Sequence, residues 1–240
     1  MSVLNKPSGF FIAGTDTEVG KTLISGALIV KLKEAGLNTI GFKPVVAGTY
    51  LSPDGRLLNE DLETLRIASN IEPGSIELCP YILNTPAAPH LVAKAEGIDF
   101  KISVITQAFE QLSAKFDWVV VEGAGGLIVP LNEKEDLGGA AKAIGLPVIL
   151  VVGIRLGCIN HALLTYEALK IRHLPVAGWI ANVLSEEMPL LQDNIQTLKD
   201  RINAPCLGTI PLLPKNLQKQ ANAPYSLGAL QFAAEHIKLP

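Results

Sequence analysis

Short runs of β-branched and apolar residues alternate along the chain with longer segments whose apolar positions recur at helical spacing. The runs Gly9–Ala13, Thr39–Phe42, Trp118–Val121, Val148–Val152, Val176–Ala181 and Leu207–Ile210 read as strands. Most lack polar alternation, so both of their faces should be covered. Helices are predicted over Lys21–Ala35, Leu62–Ser69, Ile102–Lys115, Leu137–Ala143, Asn160–Ile171, Leu190–Ile202 and after Ser226. Strand and helix in turn predict an α/β fold with a mostly parallel central sheet and helices on both faces. One region departs from this rhythm. From Pro44 to Asp99 the chain is rich in Pro and Gly with little periodicity, and connections of that length usually serve function.

Length and composition narrow the picture without directing it. The 240 residues allow one large unit or two small ones, and the unbroken alternation, without a low-complexity linker, predicts a single domain over 1–240. With 48% hydrophobic and 18% charged residues, disorder and coiled coil are excluded. Lys and Arg total 20 against 23 Asp and Glu, a net charge of −3, so the basic footprint of a nucleic-acid binder is missing. The longest apolar run, Ile144 to Val152, is interrupted by Gly145 and Pro147 and is far shorter than the roughly 20 residues a bilayer requires. No membrane partner is expected. Met1 to Phe10 lacks the basic and apolar regions of a signal peptide. Cys79, Cys158 and Cys206 are odd in number and widely spaced, fitting neither a disulfide framework nor a metal site. A cytoplasmic location follows as the expectation.

Chemistry first becomes visible after the first predicted strand, in Gly14-Thr15-Asp16-Thr17-Glu18-Val19-Gly20-Lys21-Thr22. A strand, a loop ending in Gly-Lys-Thr and a helix give successive backbone N–H groups and a helix N-terminus, both suited to phosphate oxygens. In such a P-loop Lys21 reaches the β and γ phosphates and the Thr22 hydroxyl ligates Mg2+. The spacing is unusual, with five residues rather than four between the glycines. A second metal ligand belongs at the end of a neighbouring strand. Val119-Val120-Val121 leads there to Glu122 and then to Gly123-Ala124-Gly125-Gly126, a turn open enough for backbone to approach a polyphosphate. Asn182 ends another strand, either as a turn former or as an amide that pairs with a purine edge. A guanine reader would add Asp at position 185, which is Ser185, so ATP is favoured over GTP.

With these residues placed, the chain resembles the dethiobiotin synthetases over nearly its whole length. The likeness rests on the P-loop in its five-residue form, Lys43-Pro44-Val45, Val121 to Gly126, Leu156-Gly157-Cys158-Ile159-Asn160-His161-Ala162 and Gly178-Trp179-Ile180-Ala181-Asn182. It implies a P-loop NTPase-like fold and a homodimer that joins 7,8-diaminononanoate to CO2 with ATP and Mg2+, releasing dethiobiotin, ADP and phosphate. By the same resemblance Lys21 and Lys43 are catalytic, and Thr22, Asp61 and Glu122 hold Mg2+. The nucleotide falls to Thr17, Glu18, Val19, Gly20, Lys21, Thr22, Leu23, Asp61, Glu122, Gly123, Ala124, Gly125, Asn182, Val183, Pro211, Leu212 and Leu213. The substrate falls to Lys43, Ala47, Gly157, Cys158, Ile159 and Asn160, with Pro86, Pro89 and His90 shaping the amine end.

Taken singly, some of these positions have plainer readings. Asp61 also suits the first turn of a helix capped by Asn59, and Lys43 suits a strand-end lysine. Two departures stand out: Ala47 replaces the family's usual Ser, and Pro214, Lys215 and Gln218 lack an acidic contact that some members make to adenine. A competing assignment is a P-loop ATPase switch of the partitioning type. Those proteins carry a signature lysine five residues before the P-loop lysine, where this chain has Asp16.

Overall fold

The computed structural model describes residues 8–52 and 54–240; residues 1–7, most of the stretch read for a leader, lie outside the described residues. The chain runs through β1 (Ser8–Gly14), α1 (Lys21–Glu34) and β2 (Thr39–Phe42) into an excursion. That excursion holds β3 (Val45–Ala47), β4 (Tyr50–Leu51), β5 (Leu57–Leu58), α2 (Glu60–Ser69), β6 (Tyr81–Leu83) and α3 (Pro89–Glu96). The chain returns by α4 (Ile102–Ser113) to β7 (Trp118–Glu122), then α5 (Leu137–Ile144), β8 (Val148–Ile154) and α6 (Cys158–Ile171). It finishes with β9 (Val176–Val183), α7 (Leu191–Arg201), β10 (Cys206–Ile210) and α8 (Leu227–Glu235).

Six strands form one sheet in the order β10-β9-β8-β1-β7-β2, every neighbouring pair parallel. Burial explains the sequence pattern, since every residue of β8, VILVVGI, is buried and a polar position on either face would meet a helix. The right-handed crossover rule sends α1 to one face and α4, α5, α6 and α7 to the other. Helix α1 packs against α2 and α8 as well as the sheet, which is why ten of its 14 residues are buried. A Cβ on Gly26 of α1 would come within 2.7 Å of Leu230 on α8, so a glycine sets that close approach. No helix of the described residues is long and apolar enough to cross a membrane.

All six sheet strands lie where the apolar pattern put them. The Pro44–Asp99 stretch is more ordered than its weak periodicity suggested. Strand β3 pairs with β6 in parallel, and β4 with β5 antiparallel. Asn59 caps α2, its side-chain oxygen accepting from the N–H groups of Asp61 and Leu62 at 3.0 and 3.2 Å. The topology decides where a ligand can sit. From β1 the chain goes out to the β2 edge, comes back to fill the gap with β7, and then builds β8, β9 and β10 on the other side. The direction reverses around β1, and the carboxyl ends of the strands there are the crevice of an open α/β sheet.

Candidate active site

The P-loop leaves the carboxyl end of β1 and ends at Gly20, whose φ of 93° opens α1 in the left-handed region. Glycine is required there for a second reason, because a Cβ would lie 2.1 Å from Asn182 Nδ2. That Asn182 amide, at the end of β9, donates to the Val19 carbonyl at 3.0 Å and so ties the loop to the sheet. Lys21 is buried and donates from Nζ to the Asp16 carbonyl at 2.8 Å, folded back over its own loop. A side chain on Gly14 would meet Lys21 Nζ at 2.9 Å, so the first glycine leaves room for the lysine to pass. Burial, then the nearby Lys43 ammonium, lowers the Lys21 pKa from 10.5 to about 8, although Glu122, Asp61 and Asp16 pull it upward.

Beyond the loop four polar groups converge. Thr22 Oγ1 lies 2.7 Å from Asp61 Oδ1 and 2.7 Å from Glu122 Oε1. Lys43 Nζ sits 2.6 Å from Asp61 Oδ2 and 2.6 Å from Glu122 Oε1. Each residue arrives on a different element: α1, the first turn of α2, the end of β7 and the end of β2. Lys43 is 4% and Glu122 0% exposed. Burial pulls the Lys43 pKa down, but the two carboxylates beside it outweigh that and hold it above its ordinary value. Asp61 and Glu122 respond in opposite directions. For both, burial pushes upward and Lys43 pulls downward; in the more open Asp61 the cation wins, and in the deeper Glu122 burial wins.

One feature of this cluster points outward. A threonine hydroxyl has a single proton to share between two carboxylates, and Glu122 Oε2 is buried with no hydrogen-bond partner. An orphaned carboxylate oxygen beside a hydroxyl and a second carboxylate is a hard-cation donor set. Among the described residues no group of three His, Cys, Asp or Glu could hold a metal by itself. The donors therefore fit an ion such as Mg2+ that keeps waters and shares its ligands with a phosphate.

The other sequence-predicted residues fall into four places. Gly123, Ala124 and Gly125 form the turn after β7; Gly123 N–H donates to the Ile12 carbonyl at 3.0 Å, and a Cβ on Gly125 would lie 3.6 Å from Thr17 Oγ1. The turn thus comes close to Thr17 of the P-loop. Val183 ends β9, and Pro211, Leu212 and Leu213 follow β10, with Gln218 Nε2 donating to the Leu213 carbonyl at 2.9 Å. Ala47 ends β3, next to the Lys43 strand, where Gly48 N–H donates to the Leu83 carbonyl at 3.0 Å and Pro86 packs over Gly48. Gly157, Cys158, Ile159 and Asn160 start α6 after β8, across β1 from Lys43; Gly157 has a φ of 91° and Cys158 is buried.

Sequence reasoning missed two contacts. Asn59, besides its capping role, donates from Nδ2 to the Gly48 carbonyl at 2.7 Å and so binds the Asp61 turn to the β3 strand. Arg155, the lone basic residue at the end of β8, pairs with Asp16 of the P-loop. A charged residue immediately after a fully buried strand was the available signal for the second; nothing in the sequence pattern marks the first.

A family described as an AAA domain matches residues 8–220. The MinC:MinD cell division protein complex of Aquifex aeolicus superposes with a TM-score of 0.55 at 16% identity, covering 87% of this chain and 83% of that one. A ParA family ATPase from Chlorobium tepidum TLS gives 0.55 at 13% identity, covering 96% and 90%. At such identities the likeness is one of fold, and fold and loop together define a P-loop NTPase. Closer relatives go further: the ATP-dependent dethiobiotin synthetase BioD of Ralstonia nicotianae is 50% identical over 205 residues, 85% of this chain and 89% of that protein. The protein of the same name from Aromatoleum aromaticum is 48% identical over 208 residues, 87% and 92% respectively. The chain belongs to the ATP-dependent dethiobiotin synthetase family.

Proposed function

We propose that this chain works in the cytoplasm as a homodimeric, Mg2+-dependent dethiobiotin synthetase. It takes 7,8-diaminononanoate, CO2 and ATP to dethiobiotin, ADP and phosphate. The observation that carries the reading is the convergence of Lys43, Thr22, Asp61 and Glu122 at the mouth of a P-loop in a chain of this family. In the first step one substrate amine adds to CO2 and loses a proton, giving a carbamate. The carbamate oxygen then attacks the γ-phosphorus of ATP, ADP leaves, and a carbamic-phosphoric anhydride forms. The second amine attacks the carbamoyl carbon, phosphate departs with the C–O electron pair, and the five-membered urea closes.

Phosphoryl transfer between two anions needs charge stabilisation more than covalent help. Lys21 and Lys43 supply it, Lys21 toward the β and γ phosphates and Lys43 toward the carbamate and the γ-phosphate. Lys43 suits this task because its carboxylate partners keep it cationic at any working pH. Thr22, Asp61 and Glu122 hold Mg2+, which when bound screens the phosphate charge. The P-loop from Thr17 to Leu23, with Gly123, Ala124 and Gly125, surrounds the polyphosphate. Asn182, Val183, Pro211, Leu212 and Leu213 face the base. Because the Asn182 amide nitrogen already serves Val19, its carbonyl oxygen is left as the group to receive the adenine amine. Ala47 and the turn from Gly157 to Asn160 line the diamine; with Ala at 47, backbone or water takes the contact that a serine hydroxyl makes.

The test is direct. Protein mixed with Mg-ATP, bicarbonate and 7,8-diaminononanoate should release phosphate only when the diamine is present, together with an equal amount of cyclic urea. Phosphate release indifferent to the diamine would make the chain an ATPase of another kind and sink the reading.

A further inference from the structure

Asp16, in the loop after β1, and Arg155, in the turn after β8, form an ion pair that joins the two loops. Both side chains are about half exposed, so the pair adds little to stability. Its geometry is more informative than its energy. The Asp16 carboxylate is held on both sides, one oxygen taking the Arg155 guanidinium and the other accepting the Thr17 N–H at 2.8 Å. The carbonyl of the same residue receives Lys21 Nζ at 2.8 Å. The Arg155 carbonyl accepts the Cys158 N–H at 3.0 Å and closes the turn through Gly157 into α6. One ion pair therefore fixes the residue on which the P-loop lysine rests and the turn that opens the neighbouring helix.

The charge of Asp16 makes this pair necessary. A carboxylate inside a loop that receives a polyphosphate repels it, and the only gain from keeping one there is its grip on the loop backbone. Strand β8 lies beside β1, with Val151 paired to Gly14, so a cation on the residue just past its end can reach Asp16 and cancel that charge. We propose that Arg155 is a positioning residue for ATP, neutralising and orienting Asp16 so that the N–H groups from Thr17 onward and the Lys21 ammonium meet the phosphates. The proposal rests on the reading of this loop as the ATP site and adds a residue outside the P-loop motif to it.

Isothermal titration of Mg-ATP and of ADP into four variants tests it. Arg155→Ala should weaken both by about tenfold, with a raised ATP KM, a largely kept kcat and an unchanged unfolding temperature. Arg155→Lys should recover most of the affinity. Asp16→Asn, which removes the repulsion along with the pair, should stay within about threefold of the parent, and adding Arg155→Ala to it should change little more. Parent-like binding by Arg155→Ala overturns the proposal, as does the same loss from Arg155→Ala whether or not Asp16 is present. A parent protein that binds Mg-ATP but releases no diamine-dependent phosphate refutes the synthetase reading and leaves these affinities to decide Arg155. A parent that binds no Mg-ATP overturns both.

Discussion

At the carboxyl ends of β2 and β7, Lys43 and Glu122 are 4% and 0% exposed and locked to each other, to Asp61 and to Thr22. Two strands away, at the end of β8, Arg155 and Asp16 form their pair in the open, each about half exposed. The buried group has lost most of its water, so each charge in it is strongly felt, and removing Lys43 leaves both carboxylates unpaired. The open pair is screened, and its loss costs orientation rather than charge balance. The difference separates two duties: the first region can stabilise a transition state because its dipoles need no reorganisation, whereas the second can only adjust how well ligands sit.

Lys43→Ala probes this contrast most harshly. It should lower kcat by about a thousandfold or more while shifting the ATP KM only a few-fold, because the ammonium matters most where charge develops. The same change strands the buried Glu122 and the partly exposed Asp61 and should cost about 3–5 kcal/mol in a denaturant titration of the protein without nucleotide. If the variant instead keeps its kcat and loses ATP affinity, Lys43 is a binding group and the two regions differ only in depth.

Next in size comes Gly20→Ala. A side chain at a φ of 93° and 2.1 Å from Asn182 Nδ2 must displace the amide from the Val19 carbonyl. A loss of about 1–3 kcal/mol in stability and a clear drop in ADP affinity by titration are expected. Retention of both would show that the loop does not depend on the β9 tether.

A pH experiment sharpens the comparison from the other side. Lys21 in the folded chain loses its proton near pH 8, against 10.5 unfolded, so between those values the unfolded state binds more protons. Stability of the empty protein from this group therefore rises with pH across that window and is lowest below it. Phosphate oxygens restore the charge, so Mg-ATP binding at pH 8.5 should take up as much as about one proton, and at pH 6.5 almost none from Lys21. Calorimetry in two buffers of different ionisation enthalpy measures this. Equal uptake at both pH values would mean that Lys21 is charged in the empty loop.

The smallest effect is expected at the start of α6. Cys158→Ala should leave kcat within about threefold, since Cys158 is buried and phosphoryl transfer needs no thiol nucleophile. A large loss of kcat with unchanged stability would move chemistry into the region assigned here to positioning.

Much of this was legible in the residues themselves. Six sheet strands announce themselves as short, mostly apolar runs, and a Gly-Lys-Thr between a strand and a helix declares its ligand. Asp61, by contrast, reads as an ordinary residue of a helix's first turn, and only the fold sets it 2.7 Å from Thr22, 39 positions earlier. The little sheets of the 44–99 stretch were invisible because strands of two or three residues carry no period, and β3 meets its partner β6 across more than thirty residues. Asn182 shows a different limit: its place at a strand end was readable, but the turn of its amide toward Val19 depends on the backbone of another loop.

Helix α1 carries the P-loop lysine and threonine at its start and is pressed against α8, the last helix of the chain, where Leu230 fits over Gly26. On the ribosome the two halves of that contact, Gly26 and Leu230, emerge 204 positions apart. The nascent P-loop helix thus leaves the exit tunnel with one flank of apolar residues bare, and that flank stays bare until α8 has followed it out. Any factor that shelters hydrophobic nascent segments has this surface to hold for as long as the residues between α1 and α8 take to be made.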